Sequence, residues 1–166
     1  MTEPANKIRV LLADDHPVVR LGLRAMIEPE PDMEVVGEAV DGPGTVAAYA
    51  QLRPDILLMD LRMPGLGGLG LLRLLKERAP DVDVVLMTAF DDLATVATSM
   101  REGASDFLVK PLDLHELRGV LDRVFADQEA RDSQIFRTGP EANVLVDYLN
   151  KGIILPGYDG AEHQEP

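Results

Sequence analysis

A short apolar stretch that ends in a single aspartate, within residues 55–65, most constrains how this chain can fold. Four apolar residues follow Asp55 without interruption and lead into Asp60, after which Pro64 and Gly65 turn the backbone. A continuous apolar run this short, bounded by turn signals, is typical of a strand buried on both faces of a parallel sheet. We therefore predict that Asp60 lies at the carboxyl edge of the sheet, where open α/β sheets bind ligands.

The rest of the chain alternates short apolar segments with segments of helical periodicity. The predicted strands cover residues 8–13, 33–38, 55–60, 82–88 and 106–110. The predicted helices cover residues 17–27, 45–52, about 71–78, 92–102 and a last segment that Asp113 caps. Gly65 to Gly70 is predicted to supply loop and helix-packing positions before the third helix, and the half-polar second strand is predicted as an edge strand. Five strand–helix alternations predict an α/β fold with a parallel sheet covered on both faces.

Composition narrows the classes of function. The 166 residues include 16 basic and 29 acidic residues, for a formal net charge of -13. This balance argues against a broad nucleic-acid surface or an anionic membrane patch, since both require clustered Lys and Arg. The chain has no cysteine, which excludes thiolate metal sites. It shows no signal-peptide pattern and no apolar run of about 18 residues, so a cytoplasmic protein without a membrane span is expected.

The predicted strand ends carry a set of polar side chains. Asp14 and Asp15 follow the first strand, Asp60 ends the third, Thr88 ends the fourth and Lys110 ends the fifth. Carboxylates gathered there repel one another by roughly 4 kcal/mol per pair at about 4 Å and an effective dielectric near 20, so a cation is required. Hard carboxylate oxygens favour Mg²⁺ or a similar ion such as Mn²⁺. Ammonium and hydroxyl groups suit phosphate, so the set predicts a phosphoryl group on Asp60.

Four segments together resemble a response-regulator receiver domain of two-component signal transduction. They are Asp14-Asp15-His16-Pro17-Val18-Val19-Arg20, Met59 to Gly65, Thr88-Ala89, and Gly103 to Pro111. The first of these is most similar to the NarL-type branch, and the resemblance covers roughly residues 7–126. It implies a flavodoxin-like, doubly wound, five-stranded parallel sheet in the order 2-1-3-4-5 with helices on both faces.

The resemblance also implies roles for residues at the strand ends. Asp60 would accept a phosphoryl group from a sensor histidine kinase. Asp14 and Asp15 would bind Mg²⁺ (or Mn²⁺) together with Asp60 and the backbone carbonyl of Arg62. Arg62 and Phe90 flank this position and are expected to tune the access of water to the aspartyl phosphate.

Three further residues are implied as the switch. Thr88 would move to a phosphoryl oxygen, Lys110 would pair with it, and Phe107 would turn inward as the coupled aromatic. The resemblance implies signalling through the face of the fourth helix, fifth strand and fifth helix. A homodimer is expected through that face or through the first and fifth helices. Beyond catalysing its own phosphorylation and dephosphorylation, the chain is not expected to be an enzyme.

Several alternatives compete with this interpretation. The chain would be a pseudo-receiver if it bound partners without phosphorylation, or an Mg²⁺-dependent hydrolase if it turned over phosphate esters. The glycines from Gly65 to Gly70 match a dinucleotide-binding pattern, but they follow the third strand and stand next to Asp60, which would repel a pyrophosphate. A dehalogenase-like phosphatase would need an aspartate at Arg62. His16 has no second histidine at ligand spacing and is interpreted as a helix-start residue.

The sequence divides into a receiver at residues 1–126 and an acidic tail at residues 127–166. The tail has three basic and eight acidic residues, a net charge of -5. Residues 127–138 are expected to extend the last helix, residues 140–151 to form a short helix, and the end to be disordered. The tail shows no pair of helices with a basic recognition face, so we expect no DNA binding by this chain itself.

Overall fold

The computed structural model describes residues 6–89 and 92–138, with side chains described through residue 133. Its strands are β1 Ile8–Ala13, β2 Met33–Ala39, β3 Ile56–Asp60, β4 Val84–Thr88 and β5 Asp106–Val109. Its helices are α1 Pro17–Ile27, α2 Gly42–Leu52, α3 Gly67–Arg78, α4 Leu93–Arg101 and α5 Leu114–Thr138. Strand and helix alternate through this whole region, as predicted.

The five strands form one parallel sheet in the order β2-β1-β3-β4-β5, which confirms the predicted flavodoxin-like topology. Ala13 pairs with Met59, and Thr88 pairs with Val109. The register therefore brings the carboxyl ends of β1, β3, β4 and β5 to one edge. β2 is at the border of the sheet and is only partly buried, as its half-polar sequence predicted.

The core consists of two apolar layers, one on each face of the sheet. All five residues of β3 are buried, which confirms the strand predicted from its unbroken apolar run. Leu57 and Met59 belong to the layer that includes residues of α3 and α4, whereas Ile56 and Leu58 belong to the layer that includes residues of α1 and α5. Each large aliphatic side chain buried in this way stabilises the fold by about 1.5–3 kcal/mol.

Two helices begin earlier than predicted. α2 begins at Gly42, three residues before the predicted start, because Asp41 caps it by accepting a hydrogen bond from the amide of Gly44 at 2.7 Å. α3 begins at Gly67, so residues 67–70 of the glycine segment belong to the helix itself. The reason is tertiary packing: the amide of Gly68 donates to the carbonyl of Leu61 at 2.9 Å, and this docks the start of α3 against the chain.

The last helix begins and extends as predicted. The Asp113 carboxylate accepts a hydrogen bond from the amide of Glu116 at 2.9 Å, and α5 continues without a break through residues 127–138. The predicted helix at residues 140–151 and the rest of the tail lie outside the described residues. In the part of the chain that the structure describes, no helix combines the length and apolar character needed to cross a membrane.

Candidate functional site

The carboxyl edge of the sheet brings one lysine against two buried aspartates. Asp14 follows β1, Asp60 ends β3 and Lys110 follows β5. The Nζ atom of Lys110 lies 3.3 Å from Asp14 Oδ2 and 3.4 Å from Asp60 Oδ1. Asp14 is 0% exposed and Asp60 is 3% exposed. Residues from three strands thus meet in one charged cluster, although they are far apart in the sequence.

The carboxylate of Asp60 is held in a defined position. Its Oδ1 accepts a hydrogen bond from the amide of Arg62 at 3.2 Å. Burial raises the pKa of Asp60 above its ordinary value and the charge of Asp14 raises it further, while the amide of Arg62 and the ammonium of Lys110 oppose the rise. Ionised Asp60 therefore carries a free-energy cost that an added cation would relieve.

The ring of His16 is part of the same cluster. Its Nδ1 lies 3.0 Å from Asp14 Oδ1, 3.1 Å from Asp15 Oδ1 and 4.0 Å from Asp60 Oδ2. The four side chains offer ligand atoms that all lie within 4.8 Å of one another. His16 does precede α1, as predicted, but its side chain forms no capping hydrogen bond.

The structure places His16 at the start of α1, as predicted, and also brings its ring against two aspartates. The sequence has no second histidine at ligand spacing from His16. The direct adjacency of His16 to Asp14 and Asp15 after a buried strand accounts for the contact, because a loop this short keeps the imidazole near the two carboxylates.

The donor set fits a hard divalent cation. Oδ1 of Asp15 is buried and accepts no hydrogen bond, even though His16 Nδ1 is 3.1 Å away. A buried carboxylate oxygen without a partner is costly, and a metal ion satisfies it. Asp14, Asp15 and Asp60 supply the oxygen ligands that Mg²⁺ and Mn²⁺ prefer. The described residues thus contain an aspartate cluster that can hold a metal ion.

Three of the other predicted site residues lie in the described part of the chain. Thr88 is buried at the same edge, and its hydroxyl donates to the carbonyl of Ala89 at 3.1 Å. Phe107 is partly buried and packs against the apolar layer that includes α3 and α4. The side chain of Arg62 forms an ion pair with Asp92, and its backbone carbonyl remains a proposed ligand. Phe90 lies outside the described residues.

Comparison with known proteins decides the family. The sequence pattern that defines the response regulator receiver domain matches residues 10–122. This chain belongs to the response regulator receiver family. The chain is 39% identical over 140 residues to the uncharacterized transcriptional regulatory protein YxjL of Bacillus subtilis (strain 168), and the match covers 84% of this chain and 62% of that protein.

Other relatives support the same assignment. The receiver is 35% identical over 126 residues to the nitrate/nitrite response regulator protein NarL of Escherichia coli (strain K12), which covers 76% of this chain and 57% of that protein. The chain thus spans less than two thirds of the length of both relatives. These proteins confirm the resemblance to NarL-type regulators of two-component systems, whose members include transcriptional regulators.

Solved structures agree with this family. The receiver superposes on the receiver domain of AraT from Geobacillus stearothermophilus with a TM-score of 0.67 and 33% identity, over 75% of this chain and 97% of that chain. It superposes on the receiver domain of the putative response regulator NarL from Mycobacterium tuberculosis with a TM-score of 0.66 and 31% identity, over 75% and 98%. Receiver domains of this family are in general signalling modules rather than enzymes.

Proposed function

We propose that this receiver accepts a phosphoryl group on Asp60 from a sensor histidine kinase and then changes conformation to control a partner or output. The observation that carries the proposal is the position of Lys110, whose ammonium lies within 3.4 Å of both Asp14 and Asp60. In the transfer, the P–N bond of the kinase phosphohistidine breaks and an Asp60 oxygen forms the new P–O bond. The imidazole of the kinase is the leaving group.

The residues of this chain have separate roles in the phosphoryl transfer. Asp14, Asp15, Asp60 and the carbonyl of Arg62 would hold Mg²⁺ (or Mn²⁺), which when bound supplies positive charge to the phosphoryl oxygens. Lys110 neutralises negative charge on the other side of Asp60. The chain thereby lowers the barrier by positioning and charge neutralisation, without a separate acid or base.

The conformational response is assigned to Thr88 and Phe107. The Thr88 hydroxyl exchanges its bond to Ala89 for one to a phosphoryl oxygen. Phe107, already packed on the apolar layer, follows inward. Through this change the receiver would act on a partner, or on a second copy through the face of α4, β5 and α5 or through α1 and α5.

Several relatives are transcriptional regulatory proteins. By analogy, the process that this receiver controls would be transcription. A sensor kinase presents its phosphohistidine in the cytoplasm, where we place this chain. DNA binding is not proposed for the chain itself, because the residues after the receiver carry a net charge of -5, from three basic and eight acidic residues.

The proposal is tested with acetyl phosphate and Mg²⁺, with intact mass as the readout. The transfer breaks the P–O bond to acetate and forms one to Asp60. We expect one phosphoryl group on the parent protein and none on Asp60→Asn. Asp55→Asn is the matched control because Asp55 immediately precedes the same strand at the opposite edge of the sheet. A phosphoryl adduct that persists in Asp60→Asn would show that Asp60 is not the acceptor.

The same incubation separates the alternatives. A parent protein that forms no adduct, while it still binds partners, would be a pseudo-receiver. Steady release of phosphate from small phosphate esters, without a stable adduct, would identify a hydrolase. Among the described residues, the intact cluster of Asp14, Asp60 and Lys110 favours the phosphorylated receiver over both.

A further inference from the structure

The imidazole of His16 lies against the acidic cluster without a role in the proposed phosphoryl transfer. Its side chain is 61% exposed, so burial does not force it into this position. Its ring nevertheless lies 3.0 Å from Asp14 and 3.1 Å from Asp15. The contact with Asp14 has hydrogen-bond geometry, whereas Oδ1 of Asp15 accepts no hydrogen bond. The second contact is therefore a close approach of two potential ligand atoms.

The three distances from His16 Nδ1 are compatible with its being a ligand of a six-coordinate cation shared with the aspartates. With metal–ligand bonds of about 2.1 Å, octahedral geometry separates adjacent ligand atoms by about 3.0 Å and opposite ones by about 4.2 Å. Nδ1 of His16 is 3.0 Å and 3.1 Å from oxygens of Asp14 and Asp15, near the adjacent value. It is 4.0 Å from Asp60 Oδ2, near the opposite value. A nitrogen thus stands where a further ligand would lie.

We propose that Nδ1 of His16 is an additional ligand of the cation held by Asp14, Asp15 and Asp60, and that it directs the receiver toward first-row transition metals. The inference rests on the metal site of the proposed function. Mg²⁺ prefers oxygen ligands and keeps its waters, whereas Mn²⁺, Co²⁺ and Ni²⁺ accept an imidazole nitrogen with rising affinity in that order. His16 therefore increases the affinity for Co²⁺ and Ni²⁺ more than that for Mg²⁺.

This ligation depends on which ring nitrogen of His16 carries the proton. In the metal-free protein, the hydrogen bond between Nδ1 and Asp14 Oδ1 is satisfied when Nδ1 carries the proton. Coordination uses the lone pair of Nδ1, so the neutral ring then carries its proton on Nε2. Metal binding thus replaces a hydrogen bond within the cluster by two metal–ligand bonds, one to His16 and one to Asp14.

The test is calorimetric titration of the full chain with Mg²⁺ alone and with Co²⁺ alone. We expect His16→Gln to lose roughly tenfold or more in Co²⁺ affinity, because loss of groups that only orient a ligand already costs about 10–100-fold. Its Mg²⁺ affinity should stay close to that of the parent. His115→Gln, which removes an exposed imidazole on α5, is the matched control and should change neither affinity. Equal effects of His16→Gln on both metals, or no effect on either, would overturn the inference.

A spectroscopic readout detects the ligand directly. Electron spin-echo modulation of the Mn²⁺-loaded protein should show coupling to an imidazole ¹⁴N nucleus in the parent and in His115→Gln, and none in His16→Gln. No nitrogen coupling in the parent would overturn the inference. Circular dichroism of each variant shows whether the fold is retained.

The failure of this inference is distinguishable from failure of the proposed function. If Mg²⁺ binds and acetyl phosphate modifies Asp60, but His16→Gln leaves the ratio of Co²⁺ to Mg²⁺ affinity unchanged, only the role of His16 is wrong. If neither cation binds the parent, the metal site itself is wrong, and the inference falls with it.

Discussion

At the residue scale, Lys110 supplies the positive charge between two buried carboxylates. Lys110→Gln leaves Asp14 and Asp60 without that charge, so we expect the free energy of unfolding in EDTA to fall by about 1–3 kcal/mol. Added Mg²⁺ should reduce this difference in the free energy of unfolding between variant and parent, because the cation supplies a replacement charge. Urea unfolding of parent and variant, each with EDTA and with Mg²⁺, measures both effects. If Lys110→Gln lowered the free energy of unfolding equally in EDTA and in Mg²⁺, Lys110 and the cation would not act on the same carboxylates.

Thr88 provides a separate test at this scale, since its hydroxyl is bonded to Ala89 before phosphorylation. Thr88→Ala should still accept a phosphoryl group but change conformation less. Shifting an ensemble from about 1:99 to 99:1 requires roughly 5.5 kcal/mol of differential contacts, and this hydroxyl is one source of them. NMR shifts on phosphorylation report the change, with Thr88→Ser as the control that keeps a hydroxyl. Equal shifts in Thr88→Ala and parent would argue against the role.

At the scale of elements, the start of α3 fixes the loop that follows Asp60. A Cβ atom added to Gly68 would lie 2.6 Å from Leu61 Cα and 2.7 Å from its carbonyl oxygen, and backbone cannot move aside cheaply. Gly68→Ala should therefore destabilise the fold by about 1–3 kcal/mol. Gly22→Ala is the matched control, because a Cβ there meets nothing within 4 Å and should stabilise by about 0.4–1 kcal/mol. Chemical denaturation measures the stability of both variants. A Gly68→Ala variant as stable as the parent would contradict the close packing of α3 on Leu61.

The carboxyl-terminal part of α5 is held by a buried aspartate at the opposite edge of the sheet. Asp83 accepts hydrogen bonds from Ser105 and Gln128, each at 2.8 Å, and from the guanidinium of Arg131. The double variant Gln128→Ala/Arg131→Ala leaves one carboxylate oxygen unpaired, which should cost roughly 1–3 kcal/mol and speed amide exchange over residues 127–138. Glu129→Ala, on the exposed side of α5, should neither lower the stability nor speed amide exchange. Unchanged exchange in the double variant would mean that Asp83 does not hold the helix.

At the scale of the whole molecule, carboxylates with opposite pKa shifts set the pH dependence of stability. A hydrogen bond from Arg24 lowers the pKa of Glu38, so its contribution is present above the unfolded value of about 4 and is lost as pH falls through the folded value. Burial raises the pKa of Asp55, so its ionised form costs stability, and that cost disappears as pH falls.

These shifts predict opposite effects for two neutralising variants. Relative to the parent, Glu38→Gln should be destabilised near neutral pH and equal to it in acid. Asp55→Asn should be stabilised near neutral pH, and that gain should shrink in acid. Urea midpoints across the range from about pH 7 to pH 3 give the comparison. Effects of the same sign for both variants near neutral pH would contradict the assignment.

Much of the molecule follows from short-range patterns, whereas the details depend on contacts between distant segments. The apolar run before Asp60 and the five alternations predict the sheet, and the strand ends predict the convergence of Asp60 and Lys110. The start of α3 was predicted too late because helix propensity disfavours glycine, and the earlier start brings Gly68 into contact with Leu61. The orientation of the His16 ring depends on its side-chain torsions, which the sequence pattern does not specify.

In the proposed function, Asp60 carries the phosphoryl group between a cation and Lys110. A crystal structure of the protein with Mg²⁺ and beryllium fluoride, a stable substitute for the phosphoryl group, would show this arrangement. We expect the fluoride group on an Asp60 oxygen, in contact with Lys110 and Thr88, and Mg²⁺ bound by Asp14 and Asp15. Density for the group on another side chain, or Mg²⁺ bound away from these aspartates, would contradict it.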